Sequence, residues 1–396
     1  MTLRIGIVTG EPSGDLLAKQ IVSGLNNYFE NAIYEGIGGI ELASVEFNSL
    51  YPMDSLSVFG YVDAILDFPK IFGIYRNIRK RWLIDKPSIF LGIDLPDFNL
   101  RLERDLKKNN IPTIHFVSPS IWAWRYDRLR MIREAVSHML VVFPFEKKIY
   151  MREGIPATYV GHPLAQSIPL KSSKKLAREF LDIDQNIQLI SILPGSRSSE
   201  IRNLAPLFLQ TAQILNKIHP QMYFIVPMAN ELRRKEFEEI LSYYPVSNLK
   251  CFSRRDFLNY KNLQKPISWY AMEASDAVLL ASGTATLEAA LFKKPMVISY
   301  VVSPLVRHIM SWHSGQKEPY LPWIGLPNIL SGCFVVPEFL QEKATPKSLA
   351  EALLNVLIDE GYKEYIVKTF TKMHLELMLD TPKLVAETII DILDNG

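Results

Sequence analysis

Short apolar runs alternate along the chain with longer stretches in which apolar side chains recur every three to four positions. In the first half RIGIVTG leads into DLLAKQIVSGLNNYF, KPSIFLGID into DFNLRLERDLKKNN, and PTIHFVSP follows. In the second half QLISILPG leads into IRNLAPLFLQTAQILNKI, MYFIVPMA into NELRRKEFEEILSYY, and DAVLLASG into TATLEAALFKK. An apolar run too short for a helix, followed by a helical period, reads as strand then helix. Its repetition is the signature of βαβ units and a parallel sheet. The pattern predicts an α/β chain of two Rossmann-like domains.

The alternation breaks at GHPLAQSIPLKSSKK, residues 161–175, where prolines and small polar residues cluster. This places a first domain at 1–165 and a second at 166–360, with a cleft beside the break. The stretches SLAEALLNVL and Tyr362 to Leu393 carry heptad-like apolar spacing. They are expected to pack back on the first domain, residues 361–396 forming a helical tail, and a homodimer through these helices is left open.

Composition narrows the partners. Apolar residues make up 48% and charged residues 22% of the 396, the balance of a chain folded throughout. With 44 Lys and Arg against 42 Asp and Glu there is no basic field for nucleic acid. Cys251 and Cys333 form no CxxC pair, which argues against a disulfide framework or a thiolate zinc site and fits a reducing cytoplasm. MTLRIGIVTG enters a strand directly, so no export signal is expected. No window of about 18 apolar residues suits a bilayer span, so any membrane contact is expected to be peripheral.

In doubly wound sheets ligands lie outside the carboxyl ends of the strands, so the loops after the apolar runs carry the candidate chemistry. In GEPSGD, residues 10–15, Gly10, Ser13 and Gly14 let backbone N–H groups approach an anion or a sugar; a plain strand-to-helix turn is the alternative. In ASGTATLE, residues 281–288, Ser282, Gly283, Thr284 and Thr286 put small hydroxylated residues and a glycine at a helix start suited to a diphosphate. Glu288 then either accepts from a ribose diol or is an ordinary acid near the helix start. In LPGSRSSE, residues 193–200, Arg197 offers a guanidinium fork for phosphoryl oxygens, the alternative being a pair with Glu200. GIDLPDFN, residues 92–99, holds two carboxylates. Asp97 reads as a helix cap, leaving Asp94 for acid/base work.

Together with VSPSIWAWR, FPFEKKIY, YVGHPL and LPNIL, these segments closely resemble the lipid-A-disaccharide synthase family, over about residues 4–358. The resemblance implies a GT-B-type inverting glycosyltransferase. Its donor would be a UDP-linked 2,3-diacylglucosamine and its acceptor the 6-hydroxyl of 2,3-diacylglucosamine 1-phosphate, giving the β-1′,6 disaccharide at the inner face of the inner membrane. No metal or other cofactor is implied. Matched by motif, the family's essential aspartate falls on Asp94, its loop arginine on Arg197, and its UDP-binding Glu and Asn on Glu288 and Asn328. Two departures stand out: Pro12 within GEPSGD, and a long aromatic stretch WHSGQKEPYLPWIG before Leu326. Another GT-B-type enzyme acting on UDP-N-acetylglucosamine, or a non-catalytic binding protein on the same scaffold, are the rival readings.

Residues 56–83 place Phe59, Ile65, Phe68, Ile71 and Phe72 ahead of Arg76, Arg79, Lys80 and Arg81. Large apolar groups beside cations describe an interfacial anchor; a core helix with a solvated basic end is the alternative. The DxD of Asp182 and Asp184 precedes a strand and reads as a turn, not a metal site. His115 and His162 read as structural. Trp122, Trp124 and Arg125 are candidates for an acceptor path, or simply packed loop aromatics.

Overall fold

The computed structural model describes residues 3–56, 61–124, 126–257, 265–301 and 322–395. The chain divides into two compact units, Met1–Pro163 with Leu377–Gly396, and Leu164–Glu376. Each contains one wholly parallel sheet, so the alternation along the chain is realised as βα repeats in both.

In the first unit the strands are β1 (Arg4–Thr9), β2 (Ile33–Gly38), β3 (Phe47–Pro52), β4 (Ile89–Ile93), β5 (Thr113–Phe116), β6 (His138–Val141) and β7 (Ala157–Tyr159). They lie in the order β3-β2-β1-β4-β5-β6-β7. The second unit holds β8 (Leu189–Leu193), β9 (Tyr223–Pro227), β10 (Leu249–Phe252), β11 (Ala277–Ala281), β12 (Met296–Tyr300) and β13 (Glu338–Leu340), ordered β10-β9-β8-β11-β12-β13. Strands β4, β8 and β11 are buried along their whole length. Helices cover both faces of such a sheet, which is why these strands read as unbroken apolar runs.

The core of the second unit joins Ile190, Ile192 and Leu279 of the sheet to Leu204 and Phe208 of the helix Ser198–Ile218. It also takes in Leu349, Leu353 and Val356 of the helix Pro346–Ile358. SLAEALLNVL therefore packs within the second unit, against its expected return to the first. Heptad spacing states that a helix has an apolar face but not which sheet will cover it. The return is made by the helix Thr381–Asn395 alone, which packs on Pro12–Leu25 in the first unit. There Val385, Ala386 and Ile389 are fully buried, and Thr381 Oγ1 donates to the carbonyl of Val160 at 2.8 Å.

Candidate functional site

In both sheets the connections reverse direction once. The reversal lies between β1 and β4 in the first and between β8 and β11 in the second. At such a switch point the loops leave neighbouring strands towards opposite faces, opening a crevice at their carboxyl ends. GEPSGD and GIDLPDFN follow β1 and β4; LPGSRSSE and ASGTATLE follow β8 and β11. All four loops singled out from the sequence thus border the two switch points.

Asp94 and Leu95 both adopt left-handed backbone, at φ 52° and 45°. An aspartate tolerates that region; a leucine is rarely found there, and strain of this kind collects at functional sites. Three contacts hold the turn. The Asp94 N–H donates to the Phe116 carbonyl at 2.9 Å, and the Asn99 amide donates to the Asp94 carbonyl at 2.8 Å. A Cβ on Gly10 would come within 2.5 Å of a Leu95 methyl, so the bare glycine lets that side chain pack directly on the β1 loop. The half-buried Asp94 carboxylate is left at the strand end with no backbone to cap among the described residues. Asp97 is not the helix cap the sequence suggests. Leu95 occupies that position of the helix Pro96–Lys107, and Asp97, in its first turn, pairs with Arg128 at 3.0 Å.

Behind the turn lies a polar cluster with no signature in the strand pattern. Asn99 and Glu103, one turn apart on the buried face of that helix, are both fully buried. Glu103 meets His115 of β5 at 2.7 Å, and burial raises its carboxyl above the usual range while His115 opposes the shift. Two polar residues four apart on an apolar face were the available signal. In the β1 loop, Asp15 accepts from the N–H groups of Gly39 and Glu41 at 2.7 and 2.9 Å, fixing the start of the helix Ile40–Ala43. Gly14 lies against Thr9, whose Oγ1 a Cβ would approach to 2.5 Å. The Ser13 side chain lies outside what is described.

In the second unit Glu200 shapes the first loop. Its carboxylate accepts from the N–H groups of Ser196 and Arg197 at 2.9 and 3.2 Å. Gly195, at φ 120°, leaves the space that the carboxylate fills. Arg197 is thereby turned outward with its side chain 81% exposed, only 3.7 Å from Glu200 Oε1 in a solvated i,i+3 pair. Its charge remains available to a ligand. Tyr300, at the end of β12, faces the same loop; burial and the Glu200 charge raise its hydroxyl pKa, opposed by Arg197.

ASGTATLE divides by role. Gly283 and Thr284 are exposed at the start of the helix Thr284–Leu291. Ser282 Oγ donates to the Ile324 carbonyl at 3.1 Å. Thr286 is fully buried; its hydroxyl donates to the Gly283 carbonyl at 2.8 Å and accepts from the Leu326 N–H at 3.3 Å. These two residues therefore tie the loop to the segment entering the helix Leu326–Ser331. Glu288 is half-buried, and desolvation raises its carboxyl above the ordinary range. Asn328 is fully buried with all four hydrogen-bonding positions filled. Its Oδ1 accepts from the N–H groups of Val335 and Val336 at 2.7 and 2.9 Å. Its Nδ2 donates to the Val336 carbonyl at 2.9 Å and to Glu338 at 2.7 Å. Matched by motif to a UDP-binding residue, it instead clamps the polypeptide beside the loop.

Phe59, Arg125 and most of WHSGQKEPYLPWIG lie outside the described residues, as do the side chains of Ile65, Phe68 and Trp124. Within the helix Tyr61–Ile84, Ile74, Ile78 and Trp82 enter the core with Ile71 packed beside them, while Phe72 is 48% exposed. The C-terminal half of this helix is thus a core element that leaves Phe72 and the terminal Ile84 outside. Trp122 is buried, its indole donating to Glu146 at 3.2 Å. Asp182 ends the helix Lys174–Leu181 in left-handed backbone and Asp184 accepts from the Asn186 N–H at 2.7 Å, so the DxD is a turn.

A family model described as lipid-A-disaccharide synthetase matches residues 5–389. The chain belongs to the lipid-A-disaccharide synthase family. A synthase of this name from Bordetella avium is 54% identical over 392 residues, 99% of each chain, and one from Dechloromonas aromatica is 44% identical over 393 residues, again 99% of each. Among solved structures, the chain resembles a UDP-GlcNAc 2-epimerase from Neisseria meningitidis bound to UDP-GlcNAc, with TM-score 0.63 and 14% identity over the whole of both chains. It also resembles a glycosyltransferase from Rickettsia africae, with TM-score 0.57 and 10% identity over 100% of this chain and 98% of that one. These two show the shared GT-B fold and no more. Family membership makes the chain a hexosyltransferase of lipid A biosynthesis and disfavours the readings as another enzyme acting on UDP-N-acetylglucosamine or a binding protein.

Proposed function

We propose that this chain transfers 2,3-diacylglucosamine from UDP to the 6-hydroxyl of 2,3-diacylglucosamine 1-phosphate, with inversion, using Asp94 as general base. The observation that carries the assignment is the strained turn at the β1/β4 switch point, which presents a carboxylate with no capping duty. An alcohol is a poor nucleophile at neutral pH, and a positioned carboxylate that takes its proton contributes roughly 10²- to 10⁴-fold. It also opposes the positive charge that grows on the anomeric carbon. Gly10, Ser13 and Gly14, in the loop after the neighbouring strand β1, are assigned to the acceptor.

Arg197, with Gly283 and Thr284, is assigned to the UDP diphosphate and Glu288 to its ribose. Ser282, Thr286 and Asn328 act through the backbone they hold. Asp94→Asn is expected to remove most turnover while UDP binds as in the parent. Arg197→Ala is expected to weaken UDP binding about 10- to 150-fold, the worth of a charge-assisted contact. UDP release from diacylated substrates, with calorimetric UDP affinity alongside, tests both. Turnover of Asp94→Asn within about threefold of the parent would move the base elsewhere.

A further inference from the structure

At the amino ends of β8, β11 and β12, the edge of the second sheet opposite its candidate donor loops, lies a cavity of about 410 Å³. Its charged lining is one-sided: Lys174, Lys293, Lys294 and Lys363 against the single carboxylate Asp276. That carboxylate is already saturated. Lys174 contacts its Oδ1, while Oδ2 accepts from Arg178 Nη2 at 3.0 Å and the Leu189 N–H at 2.8 Å.

The two adjacent lysines have only neutral hydrogen-bond partners among the described residues. Lys294 Nζ donates to the carbonyls of Glu273 and Ser275 at 2.9 and 2.8 Å. Lys293 Nζ donates to the Leu291 carbonyl and meets His374 Nδ1, both at 2.6 Å. His374 Nε2 faces the Ala165 carbonyl at 2.8 Å, so that nitrogen carries the hydrogen and Nδ1 accepts from the ammonium. Each ammonium thus keeps a donor beyond those bonds. Burial pushes both down to about 8, with Asp276 and Glu273 opposing the shift at Lys294.

The helix ends add to the imbalance. Lys174 is the first residue of the helix Lys174–Leu181, and Lys363 stands in the first turn of Glu360–Leu377, where the helix dipole is already positive. Lys363 is partly offset by Glu360 at 2.7 Å.

We propose that this cavity binds a phosphate-bearing anion, separately from the UDP site. Its size exceeds what inorganic phosphate needs and admits a pyrophosphate or a phosphorylated small molecule. Charge-assisted N–H···O bonds from Lys293, Lys294 and Lys363 would hold it, giving marked salt dependence.

The test is calorimetric titration of the full chain with pyrophosphate in saturating UDP, so that the donor loops are filled. A further site is expected, weakened about tenfold or more in Lys293→Gln and in Lys363→Gln, a change of roughly 1.4 kcal/mol each. Should Lys293→Gln fail to fold by circular dichroism, the exposed-side variant Lys363→Gln decides alone. A parallel arm sediments phosphatidylglycerol vesicles with the parent and both variants. Loss confined to pyrophosphate identifies a soluble ligand, and loss confined to vesicles identifies a lipid headgroup phosphate. Binding in both arms that neither substitution alters, or no binding in either, overturns the proposal.

Discussion

The Asn99 amide donates to the carbonyls of Val8, Ile93 and Asp94 at 3.2, 3.4 and 2.8 Å, joining the ends of β1 and β4 to the turn that carries the base. It reaches no substrate and acts only by positioning. Asn99→Leu keeps the volume but leaves buried carbonyls unpaired, a loss of about 1–3 kcal/mol. Turnover is expected to fall roughly 5- to 150-fold with UDP affinity unchanged. Equal losses in turnover and UDP affinity would mean general unfolding instead of a displaced Asp94. Asp94 and Arg197 could be singled out as candidates because a polar residue in the loop beyond a strand end is visible in a single sequence. The parts of Thr286 and Asn328 could not, since what a hydroxyl or an amide can offer a ligand depends on which backbone groups have already claimed it. Asp97 misled for a related reason: the capping rule assumes an extended residue ahead of the helix, and tertiary contacts impose left-handed Leu95 there.

At the scale of elements, Glu146 connects the loops that follow β5 and β6. It accepts from the Phe143 N–H at 3.1 Å and the Trp122 indole at 3.2 Å, and burial raises its pKa to about 7, opposed by these bonds. The folded chain therefore binds this proton more tightly than the unfolded chain does. The resulting stability is fully present below the ordinary carboxyl pKa near 4.5 and declines as pH rises to about 7. Roughly 3 kcal/mol is involved. Glu146→Gln removes the titration, so its melting temperature is expected to vary less between pH 5 and 8 than the parent's. Matching pH profiles would show that the carboxyl does not titrate in this range. Alternation and loop position were readable in this region, but a charged residue inside FPFEKKIY gives no sign that it faces inward onto a tryptophan from another loop.

For the whole molecule, no helix among the described residues is long and apolar enough to cross a membrane. We propose that the acylated substrates are met through peripheral contact of the helix Tyr61–Ile84 with the cytoplasmic face of the inner membrane. Phe72 stands out from this helix beside the exposed Arg76 and Lys80. Phe72→Ser is expected to lower sedimentation with anionic vesicles several-fold without altering the melting temperature; undiminished sedimentation would place the contact elsewhere. The two-unit pattern and a return of the C-terminal tail to the first unit were readable from the sequence, whereas which of the final helices makes that return was not, because apolar spacing does not say which sheet will cover it. That arrangement bears on how the chain is made. A ribosome adding ~5–20 residues per second needs roughly 10–40 s to traverse the segment between Pro163 and Leu377. Throughout that interval the apolar face awaiting Val385, Ala386 and Ile389 has no partner on the nascent chain. The inserted segment contains every strand of its own sheet and can close as soon as it has emerged, so the unit begun first is the last to be completed.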